Sequence, residues 1–115
     1  MKNNHQRYLV LVHRNDNIPP SEFEFKQLQQ LTSWFEQHHK QGNVECWGIY
    51  GLDRGGFGVW TVSSMDELHK IQNEAPYAPF ALYKVYPLIS GETFNASIKE
   101  AGESFARMQP VGAHR

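Results

Sequence analysis

Four side chains, His13, Glu45, Tyr50 and Tyr83, are candidates for proton chemistry. Shifting a proton next to a carbonyl takes a base within hydrogen-bond reach of the carbon acid and a donor for the oxygen that becomes negative. His13 ends the run Tyr8-Leu-Val-Leu-Val-His13, and imidazole titrates near neutrality, so His13 is the leading proton-transfer residue. The other reading is a strand-end histidine bonded to a loop carbonyl. Glu45 stands among Val44, Cys46 and Trp47. It is either a carboxylate whose pKa is raised by apolar surroundings or a solvated charge that discourages edge pairing. Tyr50 and Tyr83 can each donate a phenolic hydrogen bond to an oxyanion, or pack their rings and leave their hydroxyls in water. Trp47, Trp60, Phe35 and Phe57 are the candidate walls for a flat substrate, and the same rings serve equally well as core.

Composition removes other classes of chemistry. With 11 basic and 12 acidic side chains and no stripe of Lys or Arg, the chain lacks a nucleic-acid footprint. No apolar run approaches the roughly 20 residues that span a bilayer, and Met-Lys-Asn-Asn-His-Gln-Arg-Tyr8 has no signal-peptide core, so a cytoplasmic protein is expected. The single Cys46 excludes an intrachain disulfide and reads as a small buried hydrophobe. The pair His38-His39 points about 100° apart on a helix and makes no natural metal clamp. There is no phosphate loop, dinucleotide fingerprint or metal-spaced cluster, so no cofactor and no metal are expected.

The elements that must position these groups follow from periodicity. The apolar run from Tyr8 is a strand covered on both faces, and polar Met1–Gln6 before it is expected to fray. Pro19-Pro20 ends the first connection. From Ser21 to Gln41, Phe25, Leu28, Leu31, Thr32 and Phe35 share one helical face, with Gly42-Asn43 as the stop. Val44–Leu52 and Phe57–Val62 read as a hairpin about Asp53-Arg54-Gly55-Gly56, and Gly48, Gly51 and Gly58 leave gaps for a ligand or a backbone. Ser64-Met-Asp-Glu67 has the form of a capping box, and Met65, Leu68 and Ile71 are the inner face of its helix. A strand from Phe80 to Tyr86 is closed by Pro87. The order βαββαβ is the ferredoxin-like α+β arrangement, an antiparallel sheet with both helices on one face. The bare face then calls for a second copy. Residues 1–89 form this domain, and residues 90–115 form a tail whose Phe94, Ile98, Ala101, Phe105 and Met108 recur at helical spacing.

Over Tyr8 to Ile89 the chain resembles the muconolactone isomerase-like family of dimeric α+β barrels. The resemblance lies in Asn17-Ile-Pro19, Ser64-Met-Asp-Glu-Leu-His-Lys-Ile71, Ala75-Pro-Tyr-Ala-Pro-Phe80 and Val85-Tyr-Pro-Leu88. It implies a cofactor-independent isomerase moving a proton within a small unsaturated lactone or related cyclic carbonyl compound, in a homodimer or higher homo-oligomer. Relatives of the same barrel include cofactor-free oxygenases and cyclases of aromatic, polyketide-like substrates. A non-catalytic module that binds a small molecule or assembles with a partner is the reading from another class.

Overall fold

The computed structural model describes residues 5–108. Its elements run β1 (Gln6–Arg14), α1 (Glu22–Lys40), β2 (Val44–Ile49), β3 (Gly55–Val62), α2 (Met65–Asn73), a short 3₁₀ turn (Ala78–Phe80), β4 (Ala81–Leu88) and α3 (Gly91–Met108). The four strands form one antiparallel sheet in the order β2-β3-β1-β4. This is the ferredoxin-like α+β fold with an added C-terminal helix. Residues 1–4 of the segment expected to fray, and residues 109–115 of the tail, lie outside the described residues; Gln6 itself opens β1.

Local chemistry accounts for the boundaries. Ser21 caps α1 by accepting from the Glu24 amide at 3.1 Å, and Ser64 caps α2 by accepting from the Glu67 amide at 3.1 Å. Glu67 reaches back one residue further than a capping box requires, accepting from the Ser63 amide at 2.8 Å. Pro87 does not close the last strand as expected. It sits inside β4 opposite Tyr8, because β4 is an edge strand and can spare a donor.

Strand alternation sorts the residues into two layers. Tyr8, Val10, Gly58, Trp60, Val62 and Val44 turn toward the helices, where Phe35 and Leu68 complete the core. Leu9, Leu11, His13, Phe57, Val59, Leu82 and Tyr86 occupy the opposite face, over which no helix packs among the described residues. Cys46 is exposed on this face rather than buried, since its register partner is Val59.

The gaps left by Gly48 and Gly58 are filled by the Phe57 and Trp60 rings, whereas among the described residues nothing lies within 4 Å of a Cβ on Gly51. A Cβ on Gly58 would lie 2.5 Å from Trp60 Nε1, so the missing side chain lets the indole lie flat on the sheet. α3 carries the expected stripe, but Phe94, Ile98, Phe105 and Met108 are all exposed. Among the described residues, no helix is long and apolar enough to cross a membrane.

Candidate functional site

A cavity of ≈ 230 Å³ opens between the helix layer and the sheet. Leu28, Leu31, Trp34 and Phe35 of α1 form one wall, and Val12, Tyr83 and the glycines of early β3 form the floor. Gln72 and Ala75, at and beyond the end of α2, and Tyr77 close it on the far side. The segment before β3 supplies Asp53 and Arg54. The lining is mostly apolar and aromatic with a few polar groups, the usual composition of a small-molecule site.

The expected tight hairpin is instead an open connection from Tyr50 to Arg54, because β2 stops at Ile49. Two backbone bonds hold its ends: the Tyr50 amide donates to the Gly55 carbonyl at 2.9 Å, and the Arg14 amide donates to the Arg54 carbonyl at 3.2 Å. Gly55 adopts φ +142°, and a Cβ there would collide with the Val12 carbonyl. Only glycine fits, and the consequence is that Asp53 and Arg54 reach the cavity rim.

Behind that rim lies a buried ionic cluster. Glu24 of α1 is fully buried and accepts four hydrogen bonds: from Arg14 Nε and Nη2 at 2.8 Å each, from Arg54 Nη1 at 3.1 Å and from the Tyr77 hydroxyl at 2.7 Å. Arg14 also donates to the carbonyls of Asn15 and Ile18, at 3.1 and 2.7 Å, which pins the β1–α1 connection. The Arg54 guanidinium stacks 4.6 Å from the Phe25 ring centroid. Hydrogen bonding from Arg14, helped by Tyr77 and Arg54, holds the Glu24 carboxyl down at about 2 despite its burial. Burial first, and the Glu24 carboxylate second, push Tyr77 up to about 12. Burial alone pushes Tyr83 up to about 12. Both phenols therefore stay protonated donors at neutral pH.

The inner stripe of α1 thus begins with Glu24, not with Phe25, which is half exposed over Arg54. A hydropathy pattern gives Glu24 to solvent. The overlooked signal is spacing, since Glu24, Leu28, Leu31 and Phe35 share one helical face.

The residues expected to do chemistry are divided between the two layers. Tyr50 and Tyr83 line the cavity, and so does Phe35. Trp47 lies behind Phe35, stacked on it at 4.8 Å and 4°, while Trp60 is fully buried beneath Trp34 and His38. Phe57 lies on the opposite face, its ring over Gly48. His13 is on that face too, since Val12 points to the helices, and its ring meets Tyr50 at 5.1 Å. Glu45 is paired with Arg7 at 2.6 Å and accepts from Thr61 at 2.7 Å. The hydrogen bond from Arg7 lowers its pKa rather than raising it, so Glu45 is the carboxylate of an ion pair and not one raised by apolar surroundings.

Gln72 was also not among the expected residues. Its Nε2 is buried and has no hydrogen-bond partner among the described residues. The Tyr83 hydroxyl beside it makes a single long bond, 3.4 Å to the Gln72 carbonyl. Both side chains also line a second, shallower space of ≈ 440 Å³ between α2 and β4, which includes Met65, His69 and Val85. Among the described residues, no group of three or more His, Cys, Asp and Glu side chains is placed to hold a metal ion.

No protein-family model matches the sequence. No curated protein matches it either. Solved structures do resemble it. One is the 5-chloro-2-hydroxyhydroquinone dehydrochlorinase of Burkholderia phenoliruptrix, in complex with 2,5-dihydroxybenzoquinone. It superposes with a TM-score of 0.55 at 14% identity, over 76% of this chain and 97% of that one. A conserved protein of unknown function from Bacteroides thetaiotaomicron, described as a possible oxidoreductase, has a TM-score of 0.40 at 15% identity, over 76% and 98% of the two chains. A dimeric ferredoxin-like protein of unknown function from Bacteroides fragilis has a TM-score of 0.40 at 12% identity, over 74% and 97%. At 14% identity the likeness to the dehydrochlorinase establishes the fold alone and leaves the chemistry to the site.

Proposed function

We propose that the chain is a cofactor-independent isomerase of the muconolactone isomerase-like kind, moving a proton within a small, flat, cyclic carbonyl compound. The observation that carries the reading is the composition of the cavity rim and floor. Among the described residues that line the cavity, Asp53 is the one carboxylate, and it shares the lining with the Arg54 guanidinium and the protonated phenols of Tyr77 and Tyr83. Pockets for drug-sized ligands run from about 300 to 1,000 Å³, so ≈ 230 Å³ suits a single ring. The ring of 2,5-dihydroxybenzoquinone, bound by the dehydrochlorinase of the same fold, is of that size and oxygenated in that way.

In this mechanism Asp53 removes a proton from the ring carbon next to the carbonyl, and the electron pair moves onto the carbonyl oxygen. The Tyr83 hydroxyl and Arg54 donate to the enolate so formed. The Asp53 carboxylic acid then returns the proton at the far end of the conjugated system, and the double bond moves without net oxidation. His13 lies outside the cavity, so Asp53 replaces it as the proposed base, with His13 acting at most through Tyr50.

Proton NMR in deuterated buffer with a muconolactone-type butenolide tests the reading. We expect migration of the double bond with deuterium at the acidic carbon, slowed at least about a hundredfold in Asp53→Asn, the low end for a general base. Oxygen uptake in place of exchange would identify an oxygenase, and binding without either would identify a binding module.

We further propose a homodimer closed through the bare sheet face, where Leu9, Leu11, Phe57 and Val59 form an apolar strip. In this arrangement β1 to β4 with α1 and α2 are the barrel-forming unit, and α3 is an arm that lies on the second copy. Sedimentation should give twice the 13.3 kDa chain mass, and a monomer at micromolar concentration would rule the arrangement out.

A further inference from the structure

The cavity and the α2–β4 groove are separated by two side chains that line both, Gln72 and Tyr83. Neither is well tied. Gln72 Nε2 has no hydrogen bond to lose by moving, and the Tyr83 hydroxyl is held by one bond of 3.4 Å. The contrast with Tyr77 on the same cavity is sharp, since its hydroxyl is bound to Glu24 at 2.7 Å. A buried amide nitrogen with no partner is rare in folded proteins and calls for an explanation.

We infer that Gln72 and Tyr83 form an internal gate, and that the full site is the cavity plus the groove, built for a two-ring or ring-plus-substituent carbonyl compound rather than a single bare ring. The inference rests on the proposed ring-binding role of the cavity and extends it. When Gln72 swings aside, the ≈ 230 Å³ and ≈ 440 Å³ spaces join along the inner face of α2. The first ring stays against Phe35 and Trp34, and the second part of the ligand passes under α2 toward Val85. The freed Gln72 amide then donates to an oxygen carried by the ligand, which gives the orphan nitrogen its partner. Selection between substrates follows, because a ligand that carries no acceptor at that point leaves the amide unpaired.

The test compares two probes on the full chain by titration calorimetry: 2,5-dihydroxybenzoquinone, with one ring, and 2-hydroxy-1,4-naphthoquinone, with two. We expect the naphthoquinone to bind at least tenfold more tightly. Gln72→Phe, which plugs the gate, should weaken the naphthoquinone at least tenfold. His69→Trp is on the exposed surface of α2 and lines the groove but not the cavity, so it should weaken the naphthoquinone in the same direction and leave the benzoquinone within twofold, also if Gln72→Phe fails to fold. Benzoquinone binding with no preference for the naphthoquinone, or equal effects of His69→Trp on both, would overturn the gate while leaving the cavity reading intact. Binding of neither probe would overturn both.

Discussion

On one side of the cavity, Glu24 takes four hydrogen bonds from Arg14, Arg54 and Tyr77; on the other, among the described residues, Gln72 has an amide nitrogen with none and Tyr83 a hydroxyl with one long bond. The two regions are built from the same materials, polar side chains buried between a sheet and a helix layer. They differ in whether the chain itself supplies the partners. A buried network that is fully satisfied becomes rigid, whereas one left incomplete keeps a cheap degree of freedom. The first side therefore fixes where Arg54 and the Asp53 loop stand. The second is left for a ligand to complete.

The comparison breaks most readily at Glu24. Glu24→Ala leaves two guanidinium groups facing each other with no carboxylate between them, and the loss from breaking a buried ion pair is about 3–5 kcal/mol. Urea unfolding at pH 7 should show a loss of that size, and a loss below about 1 kcal/mol would mean that the cluster is not a lock. The same experiment has an acid limb. Folding lowers the Glu24 pKa from 4.5 to about 2, so its contribution is complete above pH 4.5 and is lost as pH falls toward 2. The gap between the wild type and Glu24→Ala should accordingly close over that window. A gap that persists at pH 2 would assign the loss to packing instead of charge.

What the sequence made legible follows the same division. Strand and helix periods, Ser21 and Ser64 as caps, and the βαββαβ order all depend on local pattern, and each is visible in a window of a few residues. The site depends on meetings between distant residues. Glu24 looks like a solvated helix charge until Arg14, Arg54 and Tyr77 arrive from three other segments. Asp53-Arg54 reads as turn chemistry, because nothing local says that β2 ends at Ile49. Gln72 is four residues from buried Leu68, on the same helical face, and that spacing was available but is outvoted by its polarity. His13 shows the limit of an uninterrupted apolar strand: with Leu9, Val10, Leu11 and Val12 all apolar, alternation leaves its face undecided until one neighbour is placed.

The finer edge of the comparison is Gln72→Leu. Leucine is close to glutamine in size but brings no amide, so the substitution removes the unpaired nitrogen without opening a large cavity. An unsatisfied buried group costs about 1–3 kcal/mol, and replacing it by an apolar group of similar shape can be neutral or stabilising. We expect unfolding in urea to show a change between zero and about 1 kcal/mol in favour of the variant, the opposite sign to Glu24→Ala. A clear destabilisation would mean that the Gln72 amide has a partner in solution, and the loose side would then be as fully tied as the other. Stabilisation has a sharper consequence. A residue that weakens the free fold at a buried position is held there by something other than the fold, and the ligand oxygen that completes its hydrogen bond supplies that reason.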